Sequence, residues 1–296
     1  MLLRLPLLTA TALCSFACAV HIDQAGYVER EEKRFSAEAV AELRLYTFDG
    51  SIEVRAWDRP EIVVSVEKRG ADKDAIGMIQ VMAEKTGDRI QVEVRQRGRT
   101  GMVGHITIGP SLSAKLIVNV PASINLLARS GDGSVLVERL QGRIELRTND
   151  GSIRTFNTGG ELIADTGDGS VQLDDVTGRV DAKTADGTLR ITGTPSVLHA
   201  MSGDGSVVVR VRAGAVMSDD WSVGSDDGSI SVELPNSFNA TIQADPGSDG
   251  RVRSELALVD IIGGTRADRI LRGRMGEGGK TLQIRTGDGT IHLRKN

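Results

Sequence analysis

The stretch TNDGSIRTFNTGGELIADTGDGSVQL, residues 148–173, contains one turn motif twice: Asp-Gly-Ser, with Thr two residues before the Asp and a β-branched residue after the Ser. The two copies begin at Asp150 and Asp168, which are 18 residues apart. Other copies keep this interval at Asp132, Asp186 and Asp204, and more loosely spaced Asp-Gly pairs begin at Asp49, Asp227, Asp249 and Asp288. A constant period of this length is typical of repeat proteins that stack equivalent coils.

Each residue of the turn motif has a conformational explanation. We expect the Asp side chain to cap the turn, the Gly to adopt a positive φ, and the Ser or Thr to begin the next strand. The sequence therefore predicts a structural ladder of ten turn residues: Asp132, Gly133, Asp150, Gly151, Asp168, Gly169, Asp186, Gly187, Asp204 and Gly205.

The residues between the turns alternate as two short strands would. Val135, Ile153, Val171 and Leu189 occupy the same place in four successive units, so stacked coils would bring them into contact. A composition of 40% hydrophobic but only 3% aromatic residues suits a slender aliphatic core. The pattern predicts an all-β fold, a single-stranded parallel β-helix or solenoid with 18-residue coils. A triangular left-handed helix has compatible spacing, but the apolar positions do not recur every six residues.

Charged residues occupy positions between the apolar ones. Arg147, Asp165 and Lys183 would form one row across three coils, with opposite charges about 4.8 Å apart. Exposed pairs of this kind contribute only about 0–1 kcal/mol each. The row favours the correct register and indicates a solvated face.

Four segments are predicted along the chain. Residues 1–19 combine one basic residue, a short apolar run and small residues at the end, as in a signal peptide. Residues 20–39 are polar and mixed in charge, which predicts a tether. Residues 40–121 predict an N-terminal β-rich capping section, in which a hairpin would turn at Asp49. Residues 122–296 predict the β-solenoid repeats.

Both cysteines, Cys14 and Cys18, lie in the predicted signal peptide. Cleavage after Ala19 would release a chain without a thiol, whereas lipoprotein-type processing would leave a lipidated Cys18. Both alternatives predict an exported protein of the bacterial periplasm, outer membrane or cell surface. Only the second would attach it to the membrane, through the lipid on Cys18. The net charge of −4, from 36 basic and 40 acidic residues, makes nucleic acid an unsuitable partner.

Two alternatives to a purely structural ladder remain. The turn carboxylates could bind Ca²⁺, although one carboxylate per coil is few for an ion that takes six to eight oxygens. An enzyme acting on polysaccharide could use the acids that interrupt the regular period: Asp219, Asp220, Asp226 and Asp227. The four histidines lack metal-binding spacing and no Ser lies in a G-x-S-x-G context, so we predict no catalytic residue, no metal and no cofactor.

The lengthened interval between Asp204 and Asp227 contains Trp221. Insertions in repeat proteins often gather on a binding face. Trp221 is therefore the candidate contact residue for a ligand, and packing in the core is the alternative.

Several stretches together resemble a bacterial adhesin-like domain family of unknown function, related to an auto-transporter adhesin head family. They are FDGSIEV (48–54) followed by Trp57-Asp58-Arg59, the repeated T-x-D-G-S-I/V units, and LQIRTGDGTIHL (282–293). The resemblance covers residues 40–296 and implies a single-chain, right-handed β-helix on an exported or surface-tethered protein. It supplies no catalytic residue. We expect an adhesive or structural envelope protein that binds a protein or glycan without catalysis.

Overall fold

The computed structural model describes residues 17–23, 26–97, 112–263 and 270–296. Residues 1–16, most of the predicted signal peptide, lie outside this part. The strands are β1 (Ala17–Asp23), β2 (Gly26–Ser36), β3 (Glu42–Thr47), β4 (Ile52–Trp57), β5 (Glu61–Gly70), β6 (Ile79–Thr86), β7 (Arg89–Gln96), β8 (Ser113–Pro121), β9 (Asn125–Ser130), β10 (Val135–Glu138), β11 (Gln141–Thr148), β12 (Ile153–Thr166), β13 (Val171–Thr184), β14 (Leu189–Ser202), β15 (Val207–Val211), β16 (Trp221–Ser225), β17 (Ile230–Leu234), β18 (Ala240–Asp245), β19 (Arg251–Ser254), β20 (Leu258–Gly263), β21 (Leu271–Met275), β22 (Thr281–Thr286) and β23 (Thr290–Lys295). One short helix, α1 (Lys73–Gly77), precedes β6. Among the described residues, no helix has the length and apolar composition needed to cross a bilayer.

The coils of the stack have two faces joined by turns. A coil consists of a strand on the back face, a turn motif, and a strand on the front face. The back face contains β3, β7, β9, β11, β16, β18 and β22, and the front face contains β4, β8, β10, β15, β17, β19 and β23. Each of β12, β13 and β14 supplies the front strand of one coil and the back strand of the next. β12 and β13 bend between their front and back portions at Asn157 and Asp175, which adopt φ values of 53° and 57°.

The register of the central coils is parallel and regular. Val135 lies opposite Ile153, Ile153 opposite Val171, and Val171 opposite Leu189. All four side chains are fully buried. The predicted all-β solenoid with 18-residue coils is therefore confirmed, and its right-handedness stays a prediction. Each aliphatic side chain buried in this way contributes about 1.5–3 kcal/mol to the folded state. Together these side chains form one continuous core along the stack.

The N-terminal section differs from the prediction because it contains solenoid coils. β3 pairs in parallel with β7 and β9, and β4 pairs in parallel with β8 and β10. The hairpin predicted around Asp49 is therefore wrong. Residues 42–57 form a coil that lies between the strands β7 and β8 on one side and the coil of residues 125–138 on the other. The alternation of apolar and polar residues predicts strands here correctly. It does not reveal whether a strand pairs with its neighbour in sequence or with a distant strand.

The C-terminal end shows the same exchange of order. β22 lies between β16 and β18, and β23 lies between β17 and β19. The last coil, residues 281–295, is therefore inserted between the coils of residues 221–234 and 240–254. At both ends of the stack, the order of the coils therefore differs from their order in the sequence. As a result, the coils nearest the chain ends have hydrogen-bonded neighbours on both sides.

The segment predicted as a polar tether, residues 20–39, is largely a strand. β2 pairs antiparallel with β5 over ten positions, from Tyr27 opposite Gly70 to Ser36 opposite Glu61. The backbone of β1, which includes Cys18, pairs antiparallel with β2. β5 in turn pairs antiparallel with β8. The polar composition misled the prediction because the charged residues of β2 form ion pairs with one another and with β5.

A network of ion pairs connects β2 and β5. The Lys68 Nζ lies 3.1 Å from Glu29 and 3.3 Å from Glu31, and the Lys33 Nζ lies 2.7 Å from Glu31. Both lysine side chains are only 10% exposed. Burial alone would raise the pKa of Glu31, but the hydrogen bond and charge of Lys33, together with Lys68, hold it below its ordinary value.

This network predicts a loss of stability in acid. Because the pKa of Glu31 is lower in the folded than in the unfolded chain, its contribution is complete above the ordinary pKa of 4.5 and is lost as pH falls through the folded value. We expect melting temperatures measured from pH 6 to pH 3 to fall less steeply in Glu31→Gln than in the wild type. Glu84→Gln, an exposed control on β6, should keep the wild-type slope. Parallel curves for all three proteins would contradict the prediction.

Candidate functional site

A buried hydroxyl holds each turn motif to the next coil. Thr184 is 5% exposed, and its Oγ1 donates to the carbonyl oxygens of Gly169 and Gly167 at 2.8 and 2.9 Å. It also accepts the backbone N–H of Gly187 at 3.1 Å. Equivalent hydroxyls donate to the Gly carbonyl of the neighbouring turn at 2.7–3.0 Å: Ser130, Thr148, Thr166, Ser202, Ser225 and Thr286.

The sequence contains the signal for this contact, since a Ser or Thr stands two residues before the Asp of each of these turns. We had expected the Asp to cap the turn. The structure shows that the hydroxyl does so, and that it faces the backbone of the neighbouring coil. A hydroxyl suits the position because it donates and accepts at once while filling little space.

Replacing the buried hydroxyl should destabilise the stack. Thr184→Val keeps the shape of the side chain but leaves two carbonyl oxygens and one N–H without their partner, which should cost about 1–3 kcal/mol in the free energy of unfolding. Thr188→Val is the matched control, because Thr188 is exposed in the same turn. Chemical denaturation measures both variants. Equal stability of the two would contradict the role of the buried hydroxyl.

The glycine of the turn motif has a different purpose from the one predicted. Gly133, Gly151, Gly169, Gly187 and Gly205 are not among the glycines with positive φ, so that expectation is wrong. A Cβ at Gly169 would instead lie against the carbonyl oxygen of Gly151, well inside van der Waals contact. The glycine is needed because adjacent coils approach each other closely at the turn.

The turn aspartates form an exposed row that we call the turn edge: Asp132, Asp150, Asp168, Asp186, Asp204, Asp227 and Asp288. Among the described residues, no hydrogen bond or ion pair reaches these carboxylates, so the predicted capping by Asp is wrong. Neighbouring coils are about 4.8 Å apart, and two like charges at that distance repel by about 1 kcal/mol in water. The turn edge therefore opposes folding slightly, although solvent screens it.

A row of hydroxyls runs beside the turn edge. The Ser that follows each Asp-Gly pair points outward, and the Oγ atoms of Ser152 and Ser170 lie 3.2 Å apart. The row continues through Ser134, Thr188, Ser206, Ser229 and Thr290. Carboxylates and hydroxyls thus alternate across the edge and repeat along the stack with the spacing of the coils.

The calcium alternative finds one carboxylate and one outward hydroxyl per coil at the turn edge, which is few for an ion that takes six to eight oxygens. The buried hydroxyls donate to backbone carbonyls and are turned away from the carboxylates. In the part of the chain that the structure describes, no group of three or more His, Cys, Asp or Glu has the arrangement of a metal site. Thermal melts with Ca²⁺ and with a chelator test this alternative directly.

The four acids proposed for an enzyme do not form one cluster. Asp219 and Asp220 precede β16, whereas Asp226 and Asp227 follow it. Five extended residues separate the pairs, a distance of roughly 17 Å. Asp220 also has a structural role, because its Oδ1 accepts the backbone N–H of Thr281 at 2.7 Å. The two acidic pairs are close in sequence, but the extended strand β16 between them keeps them apart in space.

Trp221 is a core residue and not a surface contact. It is 1% exposed, and its ring packs against that of Phe238 with the centroids 5.4 Å apart. Its Nε1 donates to the carbonyl oxygen of Ser196 at 3.1 Å. The prediction of a contact role is wrong because the lengthened segment accommodates a large side chain inside the stack.

The charged rows of the back face have the predicted register. Arg147 lies opposite Asp165, and Asp165 opposite Lys183. Arg147 and Lys183 nevertheless form their ion pairs within their own coils, with Glu145 at 3.1 Å and with Asp181 at 3.4 Å. Ion pairs between coils also occur on this face, as between Arg129 and Glu145 at 3.1 Å. The back face is therefore a solvated surface of mixed charge.

Taken together, the fold and the turn edge define an all-β solenoid with a regular, exposed lattice of carboxylates and hydroxyls. The model of the Toastrack DUF4097 family matches residues 40–294, and the chain belongs to this family. No curated protein matches the chain.

The chain is also similar to solved structures, at low sequence identity and low TM-score. A proposed adhesin from Bacteroides fragilis is 10% identical, with 89% of this chain and 96% of that chain covered and a TM-score of 0.45. A proposed lipid-binding protein from Parabacteroides distasonis is 13% identical, with the same coverage and TM-score. A proposed adhesin from Parabacteroides merdae is 12% identical, with 89% and 95% covered and a TM-score of 0.40.

Proposed function

We propose that this protein is an exported, non-catalytic binding protein that holds a protein or glycan along its turn edge. The observation that carries the proposal is the row of exposed aspartates, whose carboxylates have no hydrogen bond or ion pair with any residue that the structure describes. Like charges so close together weaken the fold, and the buried hydroxyls already provide the structural contact at the same turns. A partner that donates hydrogen bonds or carries positive charge would offset this repulsion on binding.

The repeated lattice suits an extended partner. Each coil offers one carboxylate and one hydroxyl, and each single contact with solvent-exposed groups of this kind is weak. Several equivalent contacts on a rigid support act together, because the first one raises the effective concentration for the rest. The stack provides that rigidity, since its coils are joined by hydrogen bonds along both faces.

The test is binding by residues 20–296 immobilised on a surface and probed with arrays of glycans and of envelope proteins. Replacing four turn aspartates, Asp150, Asp168, Asp186 and Asp204, with Asn should reduce retention at least tenfold without lowering the melting temperature. A control carries the same change of charge at four exposed acids elsewhere: Asp74, Glu84, Glu255 and Glu277. Equal retention by both variants, or no retention by the wild type, would overturn the proposal.

Export rests on residues 1–19 and is tested by mass spectrometry of the mature N-terminus in the native host. Cleavage before Val20 or a lipidated Cys18 would support it, and an intact Met1 would overturn it. Either kind of processing shortens or modifies β1. β2 would still be held by its ten register pairs with β5.

A further inference from the structure

The back face has a notch where one coil lacks a side chain. Lys183, Met201, Gly224, Arg285 and Asp245 occupy the same outward position in five successive coils of the stack. Gly224 is the member without a side chain. A groove of about 340 Å³ opens there, within the range of small-ligand sites.

The walls of the notch differ in chemistry. On one side Met201 is 41% exposed and leans over Gly224, so that its Sδ lies well inside van der Waals contact of the position that a Cβ of Gly224 would take. The Met201 side chain therefore covers part of the notch. Methionine is flexible and polarisable, so it can adapt to the apolar face of a ligand. On the other side is the exposed guanidinium of Arg285, which forms no ion pair with any described residue.

Several polar groups of the groove are available for hydrogen bonds. Ser222 and Gln283 line it, and neither side chain has a hydrogen bond among the residues that the structure describes. Asp245 accepts the backbone N–H of Gly247 through Oδ1 at 3.1 Å, which leaves its second oxygen open. Asp226, an exposed residue of the adjacent turn, completes the set of acceptors.

The residues of this groove lie together because the last coil is inserted between the two coils that precede it in the sequence. Arg285 and Gln283 belong to β22, which lies beside β16 because the last coil is inserted there. If the coils were stacked in the order of the sequence, the coil that contains Asp245 would lie directly beside Gly224. The insertion thus brings the guanidinium, the amide and the carboxylate to one groove.

We propose that this groove binds a sugar unit of a neutral glycan. The site has both donors and acceptors, as a sugar with several hydroxyls requires, and an apolar wall for the ring. Asp226 and Asp245 would repel an anionic ligand, and Arg285 would repel a cationic one. The inference rests on the proposed binding function and names the class of one partner.

The test measures binding of three neutral hexasaccharides, cellohexaose, maltohexaose and chitohexaose, to residues 20–296 by saturation-transfer NMR and calorimetry. At least one should bind, and Gly224→Leu should raise its dissociation constant at least tenfold. The substitution is tolerated by the fold because the φ of Gly224 is not positive and the obstructing atom belongs to a flexible side chain. Ser231→Leu adds the same bulk to the front face of the same coil and should change the constant less than twofold.

Three results would overturn the inference: no binding of any of the three probes, equal affinity in Gly224→Leu and the wild type, or tighter binding of hexagalacturonate than of the neutral probes. The variant with Asn at Asp150, Asp168, Asp186 and Asp204 separates this site from the turn edge. If array retention is lost in that variant but unchanged in Gly224→Leu, the proposed function stands and the groove is not the site.

Discussion

Deletion of residues 281–296 is expected to lower the melting temperature by at least about 10 °C and to abolish hydrogen-exchange protection in residues 240–254. The deletion removes four fully buried aliphatic side chains, Leu282, Ile284, Ile291 and Leu293, with a gross contribution of about 6–12 kcal/mol. It also removes the neighbour of β18 and β19 that connects them to the rest of the stack.

The coil of residues 240–254 is a poor substitute for the lost one. In its register with the last coil, Pro246 corresponds to Thr286, whose hydroxyl donates to the carbonyl oxygen of Gly228. Ser254 corresponds to the buried Leu293. Pro has no hydroxyl and no N–H, and Ser contributes little to an apolar core. Moving this coil onto β16 and β17 would therefore leave a buried carbonyl without its partner and a gap in the core.

A second deletion is the matched control. Removal of residues 241–280 joins Ala240 to Thr281, so that Thr281 takes the place of Thr241 in the register. The last coil then keeps its contacts with β16 and β17 through the natural bend of residues 235–239. This variant lacks more residues, yet we expect it to melt at a higher temperature than the variant without residues 281–296. The reverse order would show that the inserted coil is not the main connection.

Gly169→Ala is expected to reduce the free energy of unfolding by about 3 kcal/mol. The new methyl group would press on the carbonyl oxygen of Gly151, which is backbone and is held by Thr166 at 2.8 Å. Two coils would have to separate, and overpacking of this kind costs about 1–3 kcal/mol or more. Chemical denaturation measures the change.

Gly77→Ala is the control for this prediction. Gly77 ends α1, has no positive φ and has no atom within 4 Å of an added Cβ. The same chemical change should leave stability within about 0.5 kcal/mol of the wild type or increase it slightly. A loss below 1 kcal/mol in Gly169→Ala would contradict the close approach of the turns.

The candidate site was only partly visible in the sequence. The turn motifs predicted a ladder, and the structure places Asp150 and Asp168 in adjacent turns. The role of Thr184 was missed because a Ser or Thr beside a turn is ordinary in loops, and only the burial and the distances reveal its contacts. Trp221 was misassigned because the length of an insertion does not reveal whether its aromatic residue faces inward.

The groove at Gly224 could not be predicted at all. A single Gly in a strand pattern does not indicate which residue will lie beside it, and Arg285 lies far away along the chain. The register of parallel coils brings them together through backbone hydrogen bonds. A periodic sequence specifies which residues are equivalent, but it does not determine the order in which the coils are stacked.

Local chemistry alone determined the repeating unit, because the 18-residue period places equivalent side chains on the same face and the turn residues allow the chain to reverse. The order of the end coils was decided only by the tertiary structure. Residues 42–57 and 281–295 are each placed between two other coils by backbone pairing with segments that are distant in the sequence. Side-chain alternation is identical for an inner and an outer coil, so the pattern does not distinguish the two orders.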